Sequence, residues 1–285
     1  MDDSPSRLSS RVARTQVLRS ENGDTRYEED RVAIEEPLEI AVSLRGQLHS
    51  MGVAFRTPGE DQALALGMLV SEGIVRGRSD VLGVDLKREE DATLPATRIT
   101  VTLADHVAFD MERYRRVFPI SSACGACGKS ALEALRIERV GPFHPSEGIR
   151  LGQSSLLSLP DRLLQRQADF QHTGALHAAA CFDAEGEILH VAEDIGRHNA
   201  LDKLIGQRLL SGEKNCHEAG LLFSGRVGYD LMQKSLQSGC AFLASIGAPS
   251  SFAVELANVY KMTLVGFLRD GRFNVYSGPH RIQIS

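Results

Sequence analysis

The chain has 285 residues, a length typical of two domains rather than one. Apolar residues make up 42% of it and charged residues 24%, which is the balance of a globular protein with a buried core. The net charge of −5 excludes a global basic field that would attract nucleic acid or anionic lipid without specificity.

Hydropathy and cysteine use predict the compartment. The longest apolar stretch, residues 63–70, is too short to span a bilayer, and the first residues lack the apolar core of a signal peptide. We therefore expect a cytoplasmic protein, in which thiols stay reduced and the five cysteines form no disulfide framework. Cys181 and Cys240 lie in apolar runs, so we expect them to be small buried side chains. Cys216 lies in a polar stretch, so we expect its thiol to be exposed.

The first 120 residues predict two regions. Residues 1–30 mix charged residues and serines with almost no apolar periodicity, which predicts a disordered N-terminal segment. Residues 31–120 predict a small α+β domain, in which Thr57 would cap a helix ending at Gly73. The strands predicted there cover residues 38–44, 51–55 and 98–103.

The rest of the chain predicts a loop and an α/β domain. Residues 121–145 hold a Cys-x-x-Cys loop and a connecting helix, predicted over 130–139. In residues 146–285, strands and helices alternate, which predicts a layered α/β domain with a largely parallel, mixed-edge sheet. The predicted helices cover 159–170, 197–210, 229–237 and 251–262, and the predicted strands cover 176–182, 187–192, 219–223, 241–246, 263–268 and 272–276.

Cys124 and Cys127 form a Cys-Gly-x-Cys-Gly loop followed by Lys129. Glycines make such a backbone mobile, and a nearby lysine and helix N-terminus can lower a thiol pKa. A zinc site or an iron–sulfur cluster needs more cysteine ligands than this one pair supplies, so we expect no metal. A thioredoxin-like redox motif would follow a strand near the start of a βαβ unit. A nucleophilic sulfur or acyl carrier and a purely structural loop remain open on spacing alone.

A polar block extends from Glu193 to Gly206 and includes Arg197 and His198. It predicts the end of a strand followed by a turn into a helix, with either simple capping or a ligand site at the carboxyl end of the strand. Zinc-deaminase chemistry is not expected, because its His-x-Glu motif would need glutamate where Ala200 stands.

Three further segments could bind an anion. Residues 224–228, which include Arg226, and residues 247–251 are rich in small residues and precede helices, so they could cap those helices or expose amides to a phosphate. In the Asp-Gly turn near the C-terminus, the arginines could be solvated or could bind a phosphate, with an aromatic ring stacking on a flat heterocycle. That turn comprises Phe267, Leu268, Arg269, Asp270, Gly271 and Arg272.

Together these blocks resemble the FdhD family of accessory sulfurtransferases for formate dehydrogenase, in one consistent order from Glu36 to Ser277. The resemblance implies a sulfur carrier that accepts sulfur from a cysteine desulfurase as a persulfide on Cys124. It further implies transfer to the molybdenum cofactor, a bis-molybdopterin guanine dinucleotide, for formate dehydrogenase. It also implies a second domain similar to the cytidine deaminase fold, and a homodimer.

The resemblance assigns the site residues one by one. It makes Cys124 the persulfide cysteine with Cys127 beside it, and the cofactor-binding segment corresponds to Phe267–Arg272. His198 and Arg226 are further candidates, and a guanine nucleotide is a possible mimic of the cofactor. The alternative function is a non-enzymatic chaperone that binds the molybdenum cofactor and uses its cysteines only to hold the loop.

Overall fold

The structure is a computed structural model that describes residues 6–7, 9–89, 96–109, 142–144, 146–213, 216 and 218–284. The loop that holds Cys124 and Cys127, and the helix predicted over 130–139, lie outside the described residues. In the part of the chain that is described, no helix is long and apolar enough to cross a membrane.

A small antiparallel sheet of three strands, which contains a long β-hairpin, lies at the N-terminus and corrects the expectation of a disordered N-terminal segment. Its strands are β1 (Ser6–Arg7), β2 (Val12–Glu21) and β3 (Asp24–Ala33). The long strands pair antiparallel over ten residue pairs around Asn22-Gly23, where both residues have positive φ, as a tight hairpin turn requires. Arg11 joins the hairpin to the C-terminal half, since its Nη2 donates to the Glu193 carbonyl at 2.7 Å.

A four-stranded sheet and one helix form the N-terminal unit, as the α+β prediction states. Its elements are β4 (Glu36–Leu44), β5 (Gln47–Arg56), helix α1 (Asp61–Ser71), β6 (Val81–Glu89) and β7 (Ala96–Leu103). The strand order is β5-β4-β7-β6. The helix begins after Glu60, which has a left-handed φ of 58°, and not at Thr57. Thr57 cannot act as the cap because its amide and hydroxyl bond to the C-terminal unit.

The C-terminal unit is built on a six-stranded sheet in the order β10-β9-β11-β12-β13-β14. Its strands are β9 (His177–Phe182), β10 (Ile188–Asp194), β11 (Gly220–Phe223), β12 (Phe242–Ser245), β13 (Thr263–Arg269) and β14 (Arg272–Ser277). Of its five pairings, only β11–β12 and β12–β13 are parallel, so the sheet is mixed and not largely parallel as predicted. The reason is that short turns join β9 to β10 and β13 to β14, and a short turn forces antiparallel pairing. A separate pair, β8 (Leu151–Gly152) and β15 (Ile282–Gln283), ties the start of the unit to its end.

Helices cover both faces of this sheet and give three layers. They are α2 (Gln153–Arg166), α3 (Ala168–Thr173), α4 (Arg197–Leu210), α5 (Tyr229–Gln237) and α6 (Ser251–Val259). Buried residues of α4, α5 and α6 share one core with the sheet, and α2 shares the other. The helix predicted over 159–170 is thus two helices, separated at Gln167.

The two units meet where α1 crosses α4 in backbone contact. A Cβ atom on Gly206 would lie 1.8 Å from the Ala63 carbonyl oxygen, and one on Gly67 would lie 1.7 Å from that of Asp202. Only glycine permits this approach at both positions. The Asp202 carboxylate accepts hydrogen bonds from Ser71 of α1 at 2.7 Å and from Lys234 of α5, so three helices are tied together here.

Candidate functional site

The candidate site lies along the edge of the six-stranded sheet that is formed by strand ends, not along an outermost strand. Strands β10, β11, β12 and β13 run in the same direction, so their carboxyl ends meet at this edge, together with the start of the opposed strand β9. Helices α4, α5 and α6 each begin just after one of these strand ends. Ligands of α/β sheets bind at such edges, because loop residues and helix amides converge there.

The polar block that ends β10 holds the two units together. Asp194 and Lys203 are both fully buried, and Asp194 Oδ2 lies 2.7 Å from Lys203 Nζ. The same oxygen accepts the Thr57 amide at 3.1 Å, and Lys203 donates to the Thr57 carbonyl at 2.8 Å. Asn199 donates to Asp194 and to the Phe55 carbonyl. Burial lowers the pKa of Lys203, and Asp194 opposes that change.

Arg197 and His198, in contrast, belong to the first turn of α4 and lie near α5. Nε2 of His198 is 3.1 Å from Oδ2 of Asp230, and Nη2 of Arg197 is 4.0 Å from the same oxygen. Asp230 lies in the first turn of α5, so these contacts join two helix N-termini at the sheet edge. Gly196 and Gly228 precede the two helices and have no side chain that could cap their amides.

His177 is a residue of this edge that the sequence interpretation missed. It is half-buried at the start of β9 and pairs in register with Asp194. Burial, together with nearby Arg197 and His198, lowers its pKa, and Asp194 opposes them. The ring packs so closely on Gly225 that a Cβ there would lie 3.2 Å from Nδ1. Alternation from Leu176 onward could place His177 at a strand end, but not beside α4, because that requires the strand order.

The two small-residue loops after β11 and β12 are joined to each other. Val227 donates its amide to the Ala248 carbonyl at 3.1 Å, and the Ser250 amide donates to the Val227 carbonyl at 2.9 Å. Ser250 caps α6 through its hydroxyl, so capping accounts for that serine. The Arg226 side chain is exposed at the same edge.

The Asp-Gly hairpin between β13 and β14 completes the edge. Phe267 has a positive φ of 53°, and its amide donates to the Gly247 carbonyl at 2.9 Å, which fixes the hairpin to the loop after β12. The Arg269 guanidinium lies 5.9 Å from the centre of the half-exposed Phe267 ring. Arg269 and Arg272 pair in register and are exposed, as are Asp270 and Gly271. Leu268 is fully buried in the core, so its side chain supports the hairpin, and only its backbone is left to serve the predicted binding segment.

The structure thus brings the predicted binding residues of the C-terminal unit to one sheet edge. His198 lies near β9 and β10, Arg226 follows β11, and residues 267–272 follow β13. From β9 to β13 there are three strand spacings, or about 14 Å, which is the span of an extended ligand and not of a single small ion. Cys124 and Cys127 lie outside the described residues.

The described cysteines are poor nucleophiles. Cys181, Cys216 and Cys240 are free thiols, and all three are buried. Burial raises the pKa of each, so they stay protonated near neutral pH. The exposed loop thiol expected at Cys216 is therefore a wrong prediction, because its polar neighbours in sequence do not keep its side chain out of the core. The described residues also form no group of three or more His, Cys, Asp or Glu that could hold a metal ion.

A solved structure shares this fold. It is the crystal structure of a putative formate dehydrogenase accessory protein from Desulfotalea psychrophila, with a TM-score of 0.73 and 22% sequence identity. The similarity covers 95% of this chain and 99% of that one. At this level of identity the comparison establishes the α/β fold.

Sequence comparison gives the family. The model of the FdhD/NarQ family matches residues 33–283. Proteins named sulfur carrier protein FdhD are 42% identical in Streptomyces avermitilis, over 95% of both chains, and 40% identical in Nocardia farcinica, over 97% of both. The protein of that name in Mycobacterium tuberculosis is 41% identical over 88% of this chain and 91% of its own. The chain therefore belongs to the FdhD/NarQ family.

Proposed function

We propose that this protein is a sulfur carrier that holds sulfur as a persulfide on Cys124 and serves formate dehydrogenase. The observation that carries the proposal is its similarity, over nearly the whole length of both chains, to proteins named sulfur carrier protein FdhD. The three described cysteines support it by exclusion, because buried protonated thiols do not take up sulfur. Cys124 and Cys127 are the two cysteines that remain.

The loading step is a thiolate exchange with a cysteine desulfurase. The Cys124 thiolate attacks the outer sulfur of the desulfurase persulfide, a new sulfur–sulfur bond forms, and the desulfurase cysteine leaves as thiolate. The step is neither a net oxidation nor a net reduction, and it needs no metal. Lys129 follows the loop in sequence, and a lysine close to a thiol favours its thiolate form.

The client of the carried sulfur is the molybdenum cofactor, bound through its guanine dinucleotide arms at the sheet edge. Such an arm carries a pyrophosphate and flat rings. Arg226, Arg269 and Arg272 supply charge, the N-termini of α5 and α6 supply amides, and Phe267 supplies an aromatic face. The extent of the edge, about 14 Å between β9 and β13, suits a dinucleotide. A cytoplasmic location and a homodimer remain predictions from the sequence.

The direct test is sulfur loading in vitro. Purified protein is incubated with a cysteine desulfurase and cysteine, and intact mass and peptide mapping then locate any added sulfur. We expect one sulfur atom on the Cys124 peptide and none on the peptides of Cys181 and Cys240. Sulfur that appears only on the desulfurase would instead favour a chaperone that binds the cofactor and uses its cysteines structurally.

A further inference from the structure

His177 is a polar group at the β9 end of the candidate site that the proposed function does not yet use. Neither of its ring nitrogens has a hydrogen-bond partner among the residues that the structure describes. The ring is nevertheless fixed in place, since β9 pairs with β10 at this residue and the ring packs on Gly225. A half-buried imidazole that is held in position and lacks a partner is a group prepared to contact a ligand.

Several polar groups near His177 are suited to an anion. Arg197 and His198 on α4 and Asp194 on β10 lie near enough to affect its pKa. Asp194 is already bonded to Lys203 and to backbone amides, so its negative charge is compensated. Arg197 and His198 share a single carboxylate, that of Asp230, at 4.0 and 3.1 Å, and Gly196 leaves the first amides of α4 without a side-chain cap next to them.

We propose that His177 binds a phosphate group of the ligand together with Arg197 and the first turn of α4, and that it takes up a proton when the phosphate arrives. The inference rests on the proposed function, in which the ligand is a guanine dinucleotide, and it adds the residue that holds a phosphate at the β9 end of the site. The hairpin at Phe267 lies about 14 Å away and contacts a different part of the same ligand.

The proton balance follows from the electrostatics. In the free protein His177 is neutral near pH 7, because burial and the neighbouring cations disfavour its charged form. A phosphate dianion against the ring reverses this preference, so solvent supplies a proton to the imidazole on binding. Affinity for the phosphate ligand therefore rises as the pH falls from the pKa of the bound state toward that of the free state.

Calorimetry with GDP tests the proposal. Titration in two buffers of different ionisation enthalpy gives the number of protons taken up per GDP bound. The variants are His177→Gln, and Gly225→Ala, whose Cβ would lie 3.2 Å from Nδ1 and so shifts the ring slightly while the imidazole is kept. His280→Gln is the matched control, because its pKa is also lowered but it follows β14 at the opposite edge of the sheet.

We expect proton uptake by the wild type and by His280→Gln, reduced uptake with roughly tenfold weaker binding in His177→Gln, and a smaller loss of both in Gly225→Ala. Unchanged uptake in both of these variants overturns the proposal, as does failure of the wild type to bind GDP. Failure of the proposed function is read separately, as the absence of persulfide on Cys124 after desulfurase treatment.

Discussion

Lys203 and Asp194 form an ion pair of 2.7 Å with no solvent exposure, at the place where the two units of the chain meet. Lys203 also donates to the Thr57 carbonyl, so one ammonium group bonds to both units. Most of the polar block at the end of β10 therefore serves the interface, whereas Arg197 and His198 contact Asp230 of α5 at the candidate site.

Removal of one partner of this ion pair should destabilise the folded protein. We expect Lys203→Met to lower the free energy of unfolding by about 3–5 kcal/mol, because Asp194 is left buried without its counterion. Urea unfolding measures the loss. Arg88→Ala, an exposed change on β6, is the control and should stay within about 0.5 kcal/mol of the wild type. A Lys203→Met protein as stable as the control would show that the pair does not stabilise the interface.

Because α1 and α4 cross in backbone contact, a side chain added at the crossing should destabilise the protein. Gly206→Ala places a Cβ 1.8 Å from the Ala63 carbonyl oxygen, so the helices must separate. We expect a loss of about 3 kcal/mol or more in unfolding experiments. Gly83→Ala is the matched control, since no atom lies within 4 Å of its added Cβ. Equal stability of the two variants would contradict the close crossing.

His177 predicts a pH dependence of stability. Its pKa in the folded protein is below the ordinary value of 6.5, so the unfolded chain binds a proton more tightly than the folded one. The contribution of His177 to the free energy of unfolding should therefore be fully present above about pH 6.5. It should fall as the pH drops toward the folded pKa. The His177→Gln variant should lose less stability over this range, as measured by urea unfolding on both sides of pH 6.5. His280 titrates equally in both proteins and cancels. Identical pH profiles would contradict the altered pKa.

The exposed arginines of the Asp-Gly hairpin should contribute to nucleotide affinity. We expect Arg272→Ala to weaken GDP binding roughly tenfold or more, since a charge-assisted hydrogen bond contributes about 1.5–3 kcal/mol. An Arg269/Arg272 double alanine variant should bind more weakly still. Arg88→Ala, on the N-terminal unit, should bind as the wild type does. Calorimetry that gives equal affinities for all three variants would place the site elsewhere.

The sequence predicts the elements of the C-terminal unit well where glycines mark their ends. The bounds predicted for α4 and α5 agree with the structure, because Gly196 and Gly228 precede these helices and Gly212 and Gly239 follow them. The predicted start of α1 is several residues too early, because Thr57 uses its amide and hydroxyl in contacts with the other unit. Such a contact leaves no trace in the local pattern.

The N-terminal hairpin was missed for a different reason. Its strands expose most side chains on both faces, so apolar residues do not alternate along them, and Leu18 and Tyr27 are exposed. Asn22-Gly23 was the one local signal of a tight turn. Local motifs marked Arg226 and His198 as candidate site residues, but they did not mark His177, because its place depends on which strand ends meet.

The measurement that tests the central claim most directly compares two cysteine variants. Cys124→Ala and Cys127→Ala are each incubated with a cysteine desulfurase and cysteine, and persulfide is measured by intact mass; each variant is also tested for formate dehydrogenase activation by complementation. We expect no persulfide and no activation for Cys124→Ala, with partial loading retained in Cys127→Ala, since a nucleophile is less replaceable than an assisting thiol. Persulfide on Cys124→Ala but not on Cys127→Ala would reverse the assignment, and normal activation by both variants would contradict the sulfur-carrier account.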